Sequence, residues 1–163
     1  MPFSLYDITV PTFIKHLKAL TKIIDKAVAH VGEGNESKIL ELRLIEDMKA
    51  FTYQIQRMSD GAKGVATRLG GAEPVVWEDN EKTIPEVRER IRKTIALLES
   101  LDPKSMDGKE EVEYDLFGKF TLTGAKYVLE MAIPNFFFHY TTAYALLRKE
   151  GVPIGKMDYI GMV

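Results

Sequence analysis

The sequence predicts an all-α chain: four long helices packed as a four-helix bundle, with a short β-hairpin between the third and the fourth. Three observations carry this expectation. Apolar residues step by four and three along four separate segments, glycine and proline stand at the ends of those segments, and one stretch alternates apolar with polar residues instead. At 163 residues the chain is of a size that one core organises, and residues 1–163 read as a single domain.

The first helix is drawn by Phe13, Leu17, Leu20, Ile24, Ala27 and Val31, and Gly32 with Gly34 closes it. In the second, Leu44, Met48, Phe51, Ile55, Met58, Ala62, Val65 and Leu69 keep the spacing up to Gly70-Gly71. Its interior glycines, Gly61 and Gly64, each cost about 1 kcal/mol relative to alanine, so a close helix-helix approach is the expected compensation. Thr83-Ile84-Pro85-Glu86 is a capping-box pattern with proline in the first turn, and the third helix follows with Ile84, Val87, Ile91, Leu98 and Leu101 as its buried stripe. Val112, Tyr114 and Leu116 alternate with polar residues, then Gly118 precedes Phe120 and Leu122, which suggests the hairpin. The fourth helix runs from about Thr123 to Glu150, kinked at Pro134 and stopped by Gly151 and Pro153. The spacer from Gly70 to Lys82 reaches roughly 43 Å if extended. Up-down-up-down and crossed connectivities therefore both remain open.

Composition removes several partner classes. The 22 basic and 24 acidic residues are spread along the chain, so there is no basic face and no nucleic-acid partner is expected. With no cysteine there is no disulfide, thiolate nucleophile or Cys-type zinc site. The longest apolar run, Met131 to Phe138, is interrupted by Pro134 and Asn135 and is too short to cross a membrane, and Met1 to Asp7 lacks the features of a signal peptide. The expectation is a cytoplasmic protein that does not enter a membrane.

His16, His30 and His139 are the candidates for metal or acid-base work. His16 and His30 lie on one helix about 21 Å apart, whereas zinc-nitrogen bonds are near 2 Å, so they cannot share an ion. The Glu-x-x-His pattern of carboxylate-bridged di-iron bundles is missing, because Phe13, Ala27 and Phe136 stand three residues before the histidines. There is no His-Glu-x-x-His, no Gly-x-Ser-x-Gly, and Gly61-Ala62-Lys63-Gly64 sits in mid-helix without a phosphate loop. The cluster Arg88-Glu89-Arg90 with Arg92 and Lys93 reads as a solvated helix face.

One constellation is informative. Val128, Ala132, Asn135, His139, Thr142 and Leu146 keep the four-and-three spacing of a core-facing stripe. Three polar side chains thus point where apolar ones are expected, and Asn135 and His139, one turn apart, can reach a common ion, water or ligand. The plainer reading is that they satisfy one another, a nearby tyrosine or a buried water. The surrounding Phe136, Phe137, Phe138, Tyr140 and Tyr144 read as core or dimer contacts.

Ser4-Leu5-Tyr6-Asp7 with Val10-Pro11, the run Ser59-Asp60-Gly61-Ala62-Lys63-Gly64, and Pro134-Asn135-Phe136-Phe137-Phe138-His139 leading to Arg148 and Gly151-Val152-Pro153 resemble a domain-of-unknown-function branch of the DinB/YfiT-like superfamily. The resemblance spans almost the whole chain. It implies a four-helix bundle with a long crossover between helices two and three, and bacterial proteins that often form homodimers. Metal-binding members use one histidine from helix two and a His-x-x-x-His pair on helix four to hold a divalent ion such as zinc or nickel. Here His139 matches the second position of the pair and Asn135 stands at the first, while helix two reads Ala50-Phe51-Thr52-Tyr53-Gln54-Ile55-Gln56. One histidine remains of three.

Two functions follow as expectations. In one, the protein is a non-catalytic or small-ligand-binding bundle with a degenerate metal site, and Asn135, His139, Thr142, Tyr140, Phe51 and Gln54 surround the pocket. In the other it is a divergent metal-dependent enzyme, of thiol-transferase or hydrolase type, with His139 as base or sole surviving histidine ligand, aided by Asn135 and by His16 or Gln54.

Overall fold

The computed structural model describes residues 3–116 and 118–162. Helix α1 spans Leu5–Val31 and begins upstream of the Phe13 stripe. Its start is fixed by a reciprocal cap: the Asp7 N–H donates to Ser4 Oγ at 3.1 Å while the Ser4 N–H donates to the Asp7 carboxylate at 3.0 Å. A short α2, Ser37–Leu40, follows. Helix α3 spans Phe51–Arg68, which corrects the expectation that the second helix begins near Leu44. Leu44 and Ile45 are exposed. Residues 41–50 are instead held as a loop by Phe51 N–H donating to the Leu42 carbonyl at 2.9 Å and Arg43 Nη1 donating to the Met48 carbonyl at 2.8 Å. The helical spacing of Leu44 and Met48 is a coincidence of composition.

Helix α4, Ile84–Glu99, opens with the anticipated Thr83/Glu86 capping box and Pro85 in its first turn. Strands β1, Glu113–Leu116, and β2, Phe120–Thr123, pair antiparallel, with Tyr114 opposite Leu122 and Leu116 opposite Phe120. The last long helical stretch is not uniform. A single turn, α5 (Gly124–Lys126), passes into a wide π-type turn, Tyr127–Ala132, and then into α6, Ile133–Lys149. Pro134 explains the change. It lacks an N–H, so the preceding backbone closes with longer bonds, the Ile133 N–H reaching Val128 O, five residues back. Gly151, at φ 84°, ends α6, and a further short helix, α7 (Lys156–Ile160), lies beyond Pro153.

Helix α3 packs against α4 and α6, and α1 packs against the same two and against α7. One hydrophobic cluster joins the long helices, and its centre includes Phe13 stacked on Phe136 at 4.1 Å between ring centroids. The segment between α3 and α4 is pinned by an ionic knot. Arg90, 3% exposed, donates to the Glu78 carbonyl at 3.0 Å and pairs with Glu81 at 2.8 Å, Asp79 at 2.9 Å and Asp60 at 3.2 Å. The solvated face read from the Arg88-to-Lys93 cluster is therefore wrong at Arg90, whose charge goes inward because carboxylates from α3 and the crossing segment meet it there. No helix among the described residues is long and apolar enough to cross a membrane.

Candidate functional site

Helix α3 supplies Gln54 and α6 supplies His139, which meet inside the packed helices. His139 is 8% exposed and Gln54 2%. The Gln54 Nε2 donates to the carbonyls of Lys49 and Ala50 at 2.9 and 3.4 Å, which turns its Oε1 toward His139 Nδ1, 2.7 Å away. An amide oxygen only accepts, so Nδ1 carries the hydrogen and Nε2 keeps its lone pair. Nε2 has no partner among the described residues and is not among their sealed polar atoms. Burial drops the His139 pKa to about 4, and the Arg57 guanidinium pushes it the same way. The ring is neutral at pH 7. Tyr53 lies between the two, edge-on to His139 at 6.1 Å and under the Arg57 guanidinium at 5.0 Å.

The remaining residues singled out from the sequence scatter around this pair. Phe51 is fully buried one turn before Gln54. Thr142 is at the edge of burial, and its hydroxyl donates to the Phe138 carbonyl of its own helix at 2.7 Å, so it is not directed at a guest. Tyr140 faces elsewhere. Its hydroxyl donates to the Tyr159 carbonyl at 2.7 Å, and its ring packs with His16 and Tyr159. Asn135 is exposed, which corrects the expectation that it points inward with His139. The buried arc of α6 is centred on Phe136, Tyr140, Ala143 and Leu147, so Asn135 falls on its margin. His16, a candidate for metal or acid-base work in the sequence, is half-buried among Phe137, Tyr140 and Tyr159 and away from His139. His30 sits in the last turn of α1 with its ring nitrogen 3.3 Å from the Glu150 carbonyl.

Asn135 instead lines a surface cleft of about 460 Å³ between α3 and the wide turn. Gly61, Tyr127, Met131 and Ala132 line it together with the charged residues Arg57, Asp60 and Arg68. A methyl group on Gly61 would lie 3.4 Å from Asn135 Nδ2, and one on Gly64 would lie 2.9 Å from the Tyr127 hydroxyl and 2.7 Å from Arg68 Nη1. The two glycines thus let polar side chains of the wide turn and α6 come down onto α3, the close approach anticipated from their cost inside a helix. Arg57, Asp60, Arg68, Tyr127 and Met131 were missed in the sequence. A signal exists: Arg57, Gly61, Gly64 and Arg68 step by four, three and four along one face of α3, and Tyr127, Met131 and Asn135 step by four opposite them.

The residues present do not fit the divalent metal that the resemblance implies. Among the described residues no three His, Cys, Asp or Glu side chains are grouped to hold an ion. The Gln54 oxygen is occupied by the Nδ1–H of His139, and the nearest formal charge acting on that imidazole is the cation of Arg57.

Residues 5–160 match the model of a family described as a domain of unknown function (DUF1993). No curated protein matches the chain. Among solved structures it is similar to a DinB family member protein from Shewanella denitrificans, with 36% sequence identity, 96% of this chain and 92% of that one covered, and a TM-score of 0.90. A family model that takes in nearly every described residue and a whole-fold likeness to a DinB family member agree: the chain belongs to the domain of unknown function (DUF1993) family, a DinB-like branch.

Proposed function

We propose that this protein is a non-catalytic, DinB-like four-helix bundle with a degenerate metal site, and that it binds a small molecule in the cleft over Gly61. The observation that carries the reading is the cleft itself. Its volume of about 460 Å³ lies in the range of ordinary ligand sites, and its lining sets Met131, Ala132 and the Tyr127 ring beside polar groups from Arg57, Asp60, Arg68 and Asn135. The wide turn that forms one wall is a device found often at functional sites. In this reading the protein acts in a bacterial cytoplasm as a homodimer, for which the exposed side chains of Leu129 and Phe138 offer apolar surface. A fragment screen followed by amide chemical shifts tests the ligand site. Hits are expected to move the resonances of Gly61, Met131 and Asn135 and to be lost in Asn135→Trp, which fills the cleft from its exposed rim; hits that cluster elsewhere on the surface overturn the reading.

A divergent enzyme using His139 is the second reading, and the unpartnered Nε2 lone pair is the observation in its favour. An imidazole with a pKa of about 4 is a weak base at pH 7, which is why it ranks second. Metal analysis after incubation with zinc or nickel separates the metal-dependent version. The expected result is less than about a tenth of an equivalent bound and no rise in Tm.

A further inference from the structure

Residues 73–82 cross from α3 to α4 without joining the core. Val75 is exposed, Val76 is 91% exposed, and the half-buried Trp77 lies outside the hydrophobic cluster. Among the described residues, none of the N–H or carbonyl groups of this segment makes a backbone–backbone hydrogen bond. Charge holds it instead. Arg90 of α4 donates to the Glu78 carbonyl at 3.0 Å and pairs with Asp79 at 2.9 Å and Glu81 at 2.8 Å. From α3, Arg57 pairs with Asp79, Gln56 Nε2 donates to Glu81 at 2.9 Å, and Lys63 Nζ lies 4.7 Å from the centre of the Trp77 ring. Asp60 orients the same three cations toward the segment, at 2.9 Å from Arg57, 2.8 Å from Lys63 and 3.2 Å from Arg90. Burial works against the Glu81 carboxylate, yet hydrogen bonds from Arg90 and Gln56 hold its pKa below the ordinary value, so it is charged at neutral pH.

The two kinds of contact answer differently to salt. The screening length falls from about 30 Å at 0.01 M to about 3 Å at 1 M, which weakens pairs between partly exposed charges, whereas the apolar core that joins the helices does not depend on charge. Segments with few buried apolar contacts also open well below the free energy of global unfolding. We propose that residues 73–82 are a strap latched by charge, which releases from α3 and α4 as a unit when ionic strength rises while the helices stay packed. Release admits water to Arg90 and leaves Asp60 as the remaining carboxylate of Arg57 and Arg90. Arg57 also lines the Gly61 cleft, so strap and cleft share a wall and opening is felt at both. Opening needs no ligand, and its test does not depend on what the cleft holds.

Trp77 is the single tryptophan of the chain, which makes the strap visible without a label. Acrylamide quenching of its fluorescence is measured at about 0.01 M and about 1 M sodium chloride, beside far-UV circular dichroism and the amide spectrum of isotope-labelled protein. Quenching is expected to rise several-fold at high salt and the Gly61 amide to shift in step with it, while the circular dichroism stays constant. Asp79→Asn removes the carboxylate shared by Arg57 and Arg90, and should bring the quenching that the wild type shows at about 1 M down to about 0.1 M salt. Lys18→Gln, which breaks the exposed pair with Glu99, should leave the wild-type response. Quenching that does not change with salt overturns the latch. So does quenching that rises only where the helical signal falls, because the segment then unfolds together with the core. A salt response unaltered in Asp79→Asn overturns the part played by charge, and a Gly61 amide that stays still while Trp77 is released overturns the shared wall.

Discussion

Replacing Gln54 with leucine would leave the His139 Nδ1–H facing a methyl group, and a buried donor without an acceptor costs about 1–3 kcal/mol. The same change removes the amide that caps the Lys49 and Ala50 carbonyls. Gln54→Leu should therefore destabilise the protein by about 2 kcal/mol in urea unfolding. Gln54→Glu makes the opposite electrostatic point. A carboxylate 2.7 Å from Nδ1 favours the imidazolium, so the His139 pKa should rise from about 4 toward or past its ordinary value in an NMR titration. His139 was legible in the sequence because it is polar on an apolar stripe. Its true partner was not, because Gln54 shows no periodicity signal of its own and is selected by a contact 85 residues away. Asn135 shares the stripe but lies on the exposed margin of α6, where the nearby helix position Gly61 has no side chain to cover it.

At the scale of an element, the two glycines of α3 separate two effects that one substitution usually mixes. In a helix, alanine is favoured over glycine by about 1 kcal/mol. At Gly61 the new methyl would meet only Asn135 Nδ2, at the ordinary contact distance of 3.4 Å, so Gly61→Ala should stabilise by up to about 1 kcal/mol. At Gly64 it would come within 2.9 Å of the Tyr127 hydroxyl, on a ring that is only 4% exposed and has little room to retreat. Gly64→Ala should then lose about 1 kcal/mol despite the propensity gain. Thermal melts of the two variants decide it: the same sign for both would mean that α3 and the wide turn are not in close contact. The two interior glycines and the Thr83 capping box were readable because each is a local rule. The start of α3 was not, because Leu44 and Met48 satisfy the helical period although the backbone of residues 41–50 turns on its own hydrogen bonds. Arg90 misled for a related reason, since sequence shows a charge cluster but not the Asp60 and Glu81 that draw one member inward.

For the whole molecule, the helical spacing fixed which segments join the core but left the connectivity open, because a spacer long enough to cross is also long enough to return. The structure packs both α1 and α3 against α4 and α6, an arrangement decided by tertiary contacts such as the Arg90 knot and not by any local preference. The same core sets how the protein meets acid. His139 titrates at about 4 in the folded state, with burial as the main cause, and burial also lowers His16. The unfolded chain takes up protons on both imidazoles near pH 6.5, so between there and pH 4 it binds more protons than the folded one. Stability therefore falls as pH falls through that window. Carboxylates act in the same direction lower down: Asp158, held down by Lys26, and Glu81, where hydrogen bonds from Arg90 and Gln56 outweigh the effect of burial, stabilise the fold at neutral pH and lose that contribution as pH passes below about 4. Between pH 7 and 4.5 the wild-type protein should lose about 2 kcal/mol, once the partial solvent access of His139 is allowed for. His139→Asn keeps a donor for Gln54 without a titrating ring, so its urea midpoint should change less over the same interval. A wild-type midpoint that does not move between pH 7 and 4.5, or a variant with the same slope, would mean that the imidazole is not held neutral by the packing around it.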